Sequence, residues 1–135
     1  MSELENYYAD LIGAVGRRDL SRIQDLLDPS FVIHYDASLP FGGHYDGVGG
    51  FFDVLGQLSG RLDDLKTEQL NYMEDANGEQ YTLVIRLTAR VVATGQAVET
   101  LVSELWTVRD GKAVEARAWF WGAASIDWGQ APAAA

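Results

Sequence analysis

Three dipeptides in the second half of the chain constrain the fold more than any other feature. Asn77-Gly78, Thr94-Gly95 and Asp110-Gly111 are each typical of β-hairpin turns, and apolar residues alternate with polar ones on either side. Because tight turns join the strands in succession, the strands must form an antiparallel meander. The pattern predicts four long strands, near residues 64–75, 80–93, 97–109 and 112–121.

Helical periodicity dominates the first half. Ser2 and Glu5 have the spacing of a capping box, and apolar residues then recur at helical intervals over residues 3–16. Asp19 is placed to cap a second helix that runs through Leu27, where Asp28-Pro29 would stop it.

A short strand and a corner separate these helices from the meander. Residues 31–35 are rich in β-formers, and residues 39–47 form a Pro- and Gly-rich crossover that leads into a third helix, Gly47 to Leu58. We therefore expect an α+β domain in which three N-terminal helices cover one face of the sheet, with polar side chains of the crossover facing a hollow.

Length and charge narrow the possible functions. The 135 residues suit one domain, predicted over residues 1–128, followed by a flexible tail over residues 129–135. Twenty acidic residues against ten basic ones, a net charge of −10, argue against nucleic acid and anionic membranes as partners. No apolar run is long enough to span a bilayer, the N-terminus lacks the pattern of a signal peptide, and a chain without cysteine has no disulfides. A cytoplasmic location is expected.

The order of these elements, with several local motifs, resembles the nuclear transport factor 2-like (NTF2-like) superfamily, which includes SnoaL-like polyketide cyclases, ketosteroid isomerases and limonene-epoxide hydrolases. The motifs that carry the resemblance are residues 28–34, the crossover 39–47, residues 106–112 and the run Trp119-Phe120-Trp121. The resemblance implies a cone-shaped fold whose curved antiparallel sheet and helices enclose an apolar pocket. It also implies a homodimer formed through the outer face of the sheet.

The chain departs from this resemblance at two positions. Many enzymes of the superfamily have an acidic residue near the end of the last strand, where this chain has Trp121. Ketosteroid isomerases place a catalytic aspartate on the first strand, and the corresponding position here is Tyr35 or Asp36.

Asp36, His44 and Glu104 are the candidate catalytic residues. Asp36, at the mouth of the first strand, is the first choice as general base, and the alternative is that it caps a turn in the crossover. His44 could act as donor or base, whereas His34 reads as an edge residue of a short strand.

Glu104 lies in an apolar row of the third meander strand, so it either lines the pocket or pairs with a base, and strand parity leaves both open. The bases within reach across the sheet are Arg86, Arg90 and Arg117.

Aromatic side chains supply the candidate binding surface. Trp119 and Trp121 are expected to border the hollow, and Tyr8 could donate a hydrogen bond to a substrate oxygen. No metal and no cofactor are predicted. The candidate substrate-binding residues are Tyr8, Tyr35, Phe41, Phe52, Trp106, Trp119 and Trp121.

The sequence favours a cofactor-independent cyclase or isomerase of SnoaL-like type, although it leaves open whether catalysis occurs. The substrate would be an apolar, oxygen-bearing small molecule, polyketide- or terpenoid-like, in secondary metabolism. Holding a flexible substrate in its cyclising geometry needs few catalytic groups. The first alternative is a non-catalytic ligand-binding or accessory protein of the same fold. The second is a hydrolase or dehydratase that uses Glu104 and a water molecule.

Overall fold

Helices and strands follow the predicted order, with small shifts at their ends. The computed structural model describes residues 2–130, so the part of the predicted tail from residue 131 lies outside the described residues. The helices are α1 (Glu3–Arg17), α2 (Leu20–Leu26) and α3 (Gly47–Arg61), and a short 3-10 helix spans Ala123–Ser125. The strands are β1 (Leu27–Tyr35), β2 (Gly43–Asp46), β3 (Leu62–Glu74), β4 (Gln80–Val91), β5 (Ala97–Arg109) and β6 (Lys112–Phe120).

Helix α1 begins and ends as its sequence predicts. The Ser2 hydroxyl accepts a hydrogen bond from the backbone N–H of Glu5 at 3.0 Å, and the Glu5 carboxylate accepts one from the N–H of Ser2 at 3.5 Å. At the other end Arg18 adopts the left-handed conformation, with φ 56°, and its N–H bonds to carbonyls of the last turn. None of the helices in residues 2–130 is long and apolar enough to cross a membrane.

The sheet has six strands in the order β2-β1-β6-β5-β4-β3. The α+β class and the antiparallel meander of β3 to β6 are confirmed, but the sheet is mixed, because β1 and β6 run parallel. The chain leaves β1 through β2 and α3, crosses the meander, and returns with β6 alongside β1 in the same direction. A parallel neighbour of this kind cannot be read from turn dipeptides, which report only adjacent antiparallel strands.

The three predicted turns differ in length. Arg109 pairs with Lys112, so Asp110 and Gly111 form a two-residue turn, and both have positive φ, at 52° and 75°. These are the dihedral angles that a type I′ hairpin requires. The other two connections are longer, since the chain reverses over residues 76–79 and 92–95, with Val91 donating to the carbonyl of Gln96 in the second.

The crossover is more ordered than a loop. Its residues Leu39 and Phe41 are buried in the core, and Gly43–Asp46 forms β2, an edge strand antiparallel to β1 that the sequence pattern did not predict. Gly42 lies at the tight corner between these parts, where its N–H donates to the carbonyl of Leu39 at 3.0 Å. The corner therefore depends on a residue without a side chain.

Replacing Gly42 with alanine is expected to destabilise the protein by about 1–3 kcal/mol, because the added methyl group would overlap the carbonyl oxygen of Asp36 and lie 2.8 Å from the Cα of Ala37. Gly49→Ala is the matched control: it lies in α3 with nothing within 4 Å of the added carbon, and should stabilise by about 0.5–1 kcal/mol. Urea unfolding of both variants measures the difference. Equal stabilities would contradict the crowding at this corner.

Aromatic rings fill the space between the helices and the face of the sheet that they cover, called the inner face. Phe31 is fully buried, stacks on Trp106 at 5.7 Å between centroids, and meets Phe51 edge-on at 5.9 Å. Tyr81 stacks on the other side of this group, 6.1 Å from Trp106. The core therefore continues from β1 across the sheet to β4, beneath α1 and α3.

Candidate active site

Glu104 lies on the inner face of β5 among apolar neighbours. It shares its side of the strand with Val102 and Trp106, which are both buried. Its partners on the two adjacent strands are Leu83 of β4 and Ala118 of β6, which are also buried. The structure thus settles the parity of β5, and a carboxyl group lies within the apolar inner face.

Small residues of β6 lie beside this carboxyl group. Ala118 pairs with Glu104 on one side and with Tyr35 on the other, and in the next row Ala116 pairs with Trp106. A short side chain thus stands between large ones in each row. The side chains that flank these alanines on β1 and β5, which are Ile33, Tyr35, Glu104 and Trp106, border a hollow beneath the helices.

This hollow, the inner cavity, has a volume of about 100 Å³. Helix α1 forms one wall, helix α3 forms another, and the inner face of the sheet forms the floor. Glu104 is the acidic residue among its lining side chains. The lining residues are Tyr8, Leu11, Ile12, Val15, Ile33, Tyr35, Phe51, Leu55, Tyr81, Glu104 and Trp106.

Burial raises the pKa of Glu104 above its usual range, since the charged carboxylate loses hydration among apolar groups. Its Oε1 accepts a hydrogen bond of 2.8 Å from the indole Nε1 of Trp106, which lowers the pKa by a smaller amount. None of the ion pairs found within residues 2–130 includes Glu104; Arg86 pairs with Glu68 and Glu99, and Arg117 with Glu115. A structural ion pair was the alternative for Glu104, and among the described residues Glu104 forms none.

Three tyrosines line the inner cavity together with this carboxyl group. Burial raises the pKa values of Tyr8, Tyr35 and Tyr81, and the negative charge of Glu104 raises them further. Their hydroxyls therefore remain protonated near neutral pH and can donate hydrogen bonds. The buried Tyr81 hydroxyl has no hydrogen-bond partner among the side chains and backbone of residues 2–130. The cavity thus combines a proton acceptor with hydrogen-bond donors.

The structure does not bring Asp36 or His44 to the inner cavity. Asp36 accepts a hydrogen bond from the N–H of Ser38 at 3.0 Å, which is the turn-capping role stated as its alternative. His44 is on the edge strand β2, with 66% of its side chain exposed, and its Nε2 lies 3.9 Å from a carboxylate oxygen of Asp46. His34 pairs with His44 across the strands and lies 3.4 Å from Glu115.

Trp119 and Trp121, expected to border the hollow, instead lie on the opposite side, the outer face of the sheet. Their side chains are 43% and 53% exposed, and the Trp121 indole donates to the hydroxyl of Ser103, which is the β5 partner of Trp119. Because side chains alternate along a strand, inward-facing Ala118 and Phe120 force their neighbours outward. The homodimer expected through this face stays a prediction.

The other predicted binding residues divide between the cavity and the core. Tyr8, Tyr35 and Trp106 line the inner cavity. Phe41 is buried against Phe120 and Trp128, away from the cavity, and Phe52 lies outside it on α3. Within residues 2–130, no group of three or more histidine, aspartate or glutamate side chains is placed to hold a metal ion.

Several cavity residues were not singled out from the sequence. Leu11, Ile12 and Val15 continue the stripe of Tyr8 along α1, so the helical periodicity of residues 3–16 already carried the signal for that wall. Tyr81 could be found only from its pairing with Trp106, which depends on the hairpin register.

Known structures share this fold. An NTF2-like protein of unknown function from Burkholderia pseudomallei K96243 is 18% identical, with a TM-score of 0.77, covering 89% of this chain and 92% of that one. TerC, co-crystallised with polyporic acid, is 18% identical, with a TM-score of 0.75, covering 88% and 92%. A protein from Catenulispora acidiphila DSM 44928 with a ketosteroid isomerase-like fold, in complex with trimethylamine, is 8% identical, with a TM-score of 0.67, covering 83% and 82%.

Sequence comparison agrees with the structural one. No curated protein matches the chain. The model of the SnoaL-like domain family matches residues 4–116, from the first turn of α1 to the middle of β6, which includes all the strands and helices that form the inner cavity. The resemblance to SnoaL-like proteins is thereby confirmed, and the chain belongs to the SnoaL-like domain family.

Proposed function

We propose that this protein is an acid–base catalyst of the isomerase or cyclase type, in which Glu104 transfers a proton on an apolar, oxygen-bearing small molecule. The observation that carries the proposal is the Glu104 carboxyl group in an apolar cavity, with a raised pKa and no ion pair within residues 2–130. A carboxylate that is desolvated in this way is a stronger base than one in water.

The proton transfer can be written with the groups of the cavity alone. Ionised Glu104 takes a proton from a carbon next to a substrate carbonyl, and the electron pair of that C–H bond moves onto the carbonyl oxygen. Hydroxyl groups of Tyr8 or Tyr35 in the same cavity donate hydrogen bonds to this oxygen as its charge develops. Protonated Glu104 then returns the proton to another atom of the substrate, which gives an isomer and regenerates the carboxylate.

Membership of the SnoaL-like family supports this reaction class, as does the ketosteroid isomerase-like fold of one structural neighbour. TerC, which has the same fold, was co-crystallised with polyporic acid. The proposal assigns no step to Asp36 or His44, because neither lines the inner cavity.

A general substrate for proton abstraction tests the proposal without knowledge of the natural one. In 5-nitrobenzisoxazole a base removes the ring C–H proton, the N–O bond breaks, and a coloured phenolate forms. Its turnover by the wild-type protein should rise with pH, because only ionised Glu104 is a base. The midpoint should lie above the ordinary glutamate pKa of about 4.3, as burial raises the pKa of Glu104.

Glu99→Gln is the matched control, since Glu99 lies on the same strand with an exposed side chain paired to Arg86 at 3.5 Å. This variant should keep both the rate and the midpoint. A wild-type rate no higher than that of buffer, or a midpoint at the ordinary carboxyl value, would count against catalysis by Glu104 and favour a protein that only binds its ligand.

A further inference from the structure

A second hollow, the outer groove, adjoins the inner cavity. It has a volume of about 500 Å³ and is bounded by the end of α1, by α2 and by α3. Val15 and Leu55 line both the inner cavity and the outer groove, so the two hollows meet at these side chains. The groove residues are Val15, Arg18, Leu20, Ile23, Phe52, Leu55, Gly56, Leu58, Ser59 and Leu65.

One stripe of helix α1 runs through both hollows. Tyr8, Leu11, Ile12 and Val15 line the inner cavity, and Val15 and Arg18 line the groove. Tyr8, Leu11, Ile12 and Val15 are related by spacings of three or four residues and therefore lie on one side of the helix, and Arg18 directly follows its last residue. From Tyr8 to Arg18 the stripe is about 15 Å long, at 1.5 Å per residue. The two hollows thus follow one another along α1, and the path is the route along this helix that would join them past Val15 and Leu55.

The sizes of the two hollows indicate how they are used. Pockets for small molecules usually have volumes of about 300–1,000 Å³. The inner cavity, at about 100 Å³, is smaller than this, whereas the groove, at about 500 Å³, lies within the range. A substrate of the usual size that reaches Glu104 must therefore extend beyond the inner cavity, and the adjoining groove has the volume to hold the rest of it.

The far end of the path carries a positive charge. Arg18 lines the groove, its side chain is exposed, and none of the ion pairs formed among residues 2–130 includes it. The rest of the groove wall is apolar apart from Ser59. In a protein with a net charge of −10, a guanidinium group at the end of an apolar path favours an anionic group of a ligand.

We propose that the substrate is an elongated amphipathic acid: its carboxylate binds at Arg18, its apolar chain lies in the outer groove, and its far end enters the inner cavity. A path of about 15 Å accommodates an extended chain of about a dozen carbon atoms. Only the reaction at the far end rests on the proposed function, because binding along the path needs no chemistry at Glu104.

Fluorescence of cis-parinaric acid, a polyene fatty acid that emits in apolar surroundings, tests the path directly. Saturated acids from hexanoic to hexadecanoic should displace it. Affinity should rise by up to about fourfold for each added methylene group, and level off near dodecanoic acid. Equal affinity for hexanoic and dodecanoic acid would overturn the proposal.

Gly56→Leu should block the groove and lower the affinity for parinaric acid at least tenfold. Gly56 lies on the groove wall in α3, and an added Cβ meets nothing within 4 Å, so the larger side chain extends into the groove without disturbing the helix. Gly60→Leu is the control, since Gly60 has the same open surroundings in α3 and does not line the groove. Melting temperatures of both variants should be at or above that of the wild type, and wild-type affinity in folded Gly56→Leu would overturn the proposal.

The methyl ester of parinaric acid tests the charge. Wild-type protein should prefer the acid, and Arg18→Asn should remove that preference, since asparagine tolerates the left-handed conformation of residue 18. If Arg18→Asn still bound the acid more tightly than the ester, the carboxylate of the ligand would bind at another place. Binding of parinaric acid by the wild-type protein needs no proton transfer, so a failure of the path and a failure of catalysis by Glu104 can be told apart.

Discussion

Replacing Glu104 with glutamine is expected to lower the turnover of 5-nitrobenzisoxazole by about 10²- to 10⁴-fold, the usual contribution of a positioned general base. Glutamine has nearly the same shape, and its carbonyl oxygen can still accept the hydrogen bond that Trp106 donates at 2.8 Å. The variant therefore removes the basic oxygen while the walls of the cavity stay as they are.

The same substitution should stabilise the protein near neutral pH. Because the pKa of Glu104 is raised in the folded state, that state binds its proton more tightly than the unfolded state. Stability of the wild type should therefore fall as pH rises from the unfolded glutamate pKa, about 4.3, through the higher folded value. Glu104→Gln lacks this loss, so its advantage should be absent at lower pH and largest above the folded pKa.

Activity and stability thus change in opposite directions, and both can be measured on one preparation. Initial rates with nitrobenzisoxazole give the first, and urea unfolding across a pH series gives the second. A Glu104→Gln protein that is both inactive and less stable at neutral pH would show that the carboxylate has a structural role. A variant with unchanged rate would remove Glu104 from the mechanism.

Replacing Phe31 with alanine is expected to destabilise the protein by about 3–5 kcal/mol. Phe31 is fully buried, and its ring stacks on Trp106 and meets Phe51 edge-on. Truncation would leave a void beneath Trp106, which donates the hydrogen bond to Glu104. The loss therefore combines the transfer of an aromatic ring out of the core with a cavity that rigid neighbours cannot fill.

Urea unfolding measures this effect as a lower midpoint with an unchanged slope. Phe52→Ala is the control, since Phe52 follows Phe51 in α3 but is only half-buried and lines the outer groove. Phe52→Ala should lower the free energy of unfolding clearly less than Phe31→Ala does. If the two substitutions destabilised the protein equally, the ring cluster around Trp106 would not be the centre of the core.

Most of the architecture was predictable because it depends on local signals. The capping box of Ser2 and Glu5 marks the start of α1, and the Asp110-Gly111 turn has the conformation that its residues favour. The turn at Thr94-Gly95 shows the limit of such signals. A two-residue turn there would place Ile85 opposite Glu104, whereas the observed connection over residues 92–95 places Leu83 there.

The site was harder to predict because it depends on which side of the sheet each residue occupies. The alternation in β5 identified the row of Glu104, but only the packing of α1 and α3 on that side shows that it faces the cavity. For Asp36, a short aspartate near a turn bonds to backbone N–H groups as readily as it faces a pocket, so position along the chain alone could not decide.

The parallel pairing of β1 with β6 has a consequence for synthesis on the ribosome. Strand β6 lies between β1 and β5 in the middle of the sheet, although it is translated after the other five strands of the sheet. A nascent chain that ends before residue 112 has two separate groups of strands with unpaired edges, and non-local pairing of this kind is slow. Folding of this domain on the ribosome must therefore wait until β6 has been made, and a chaperone that shields those edges would act during that interval.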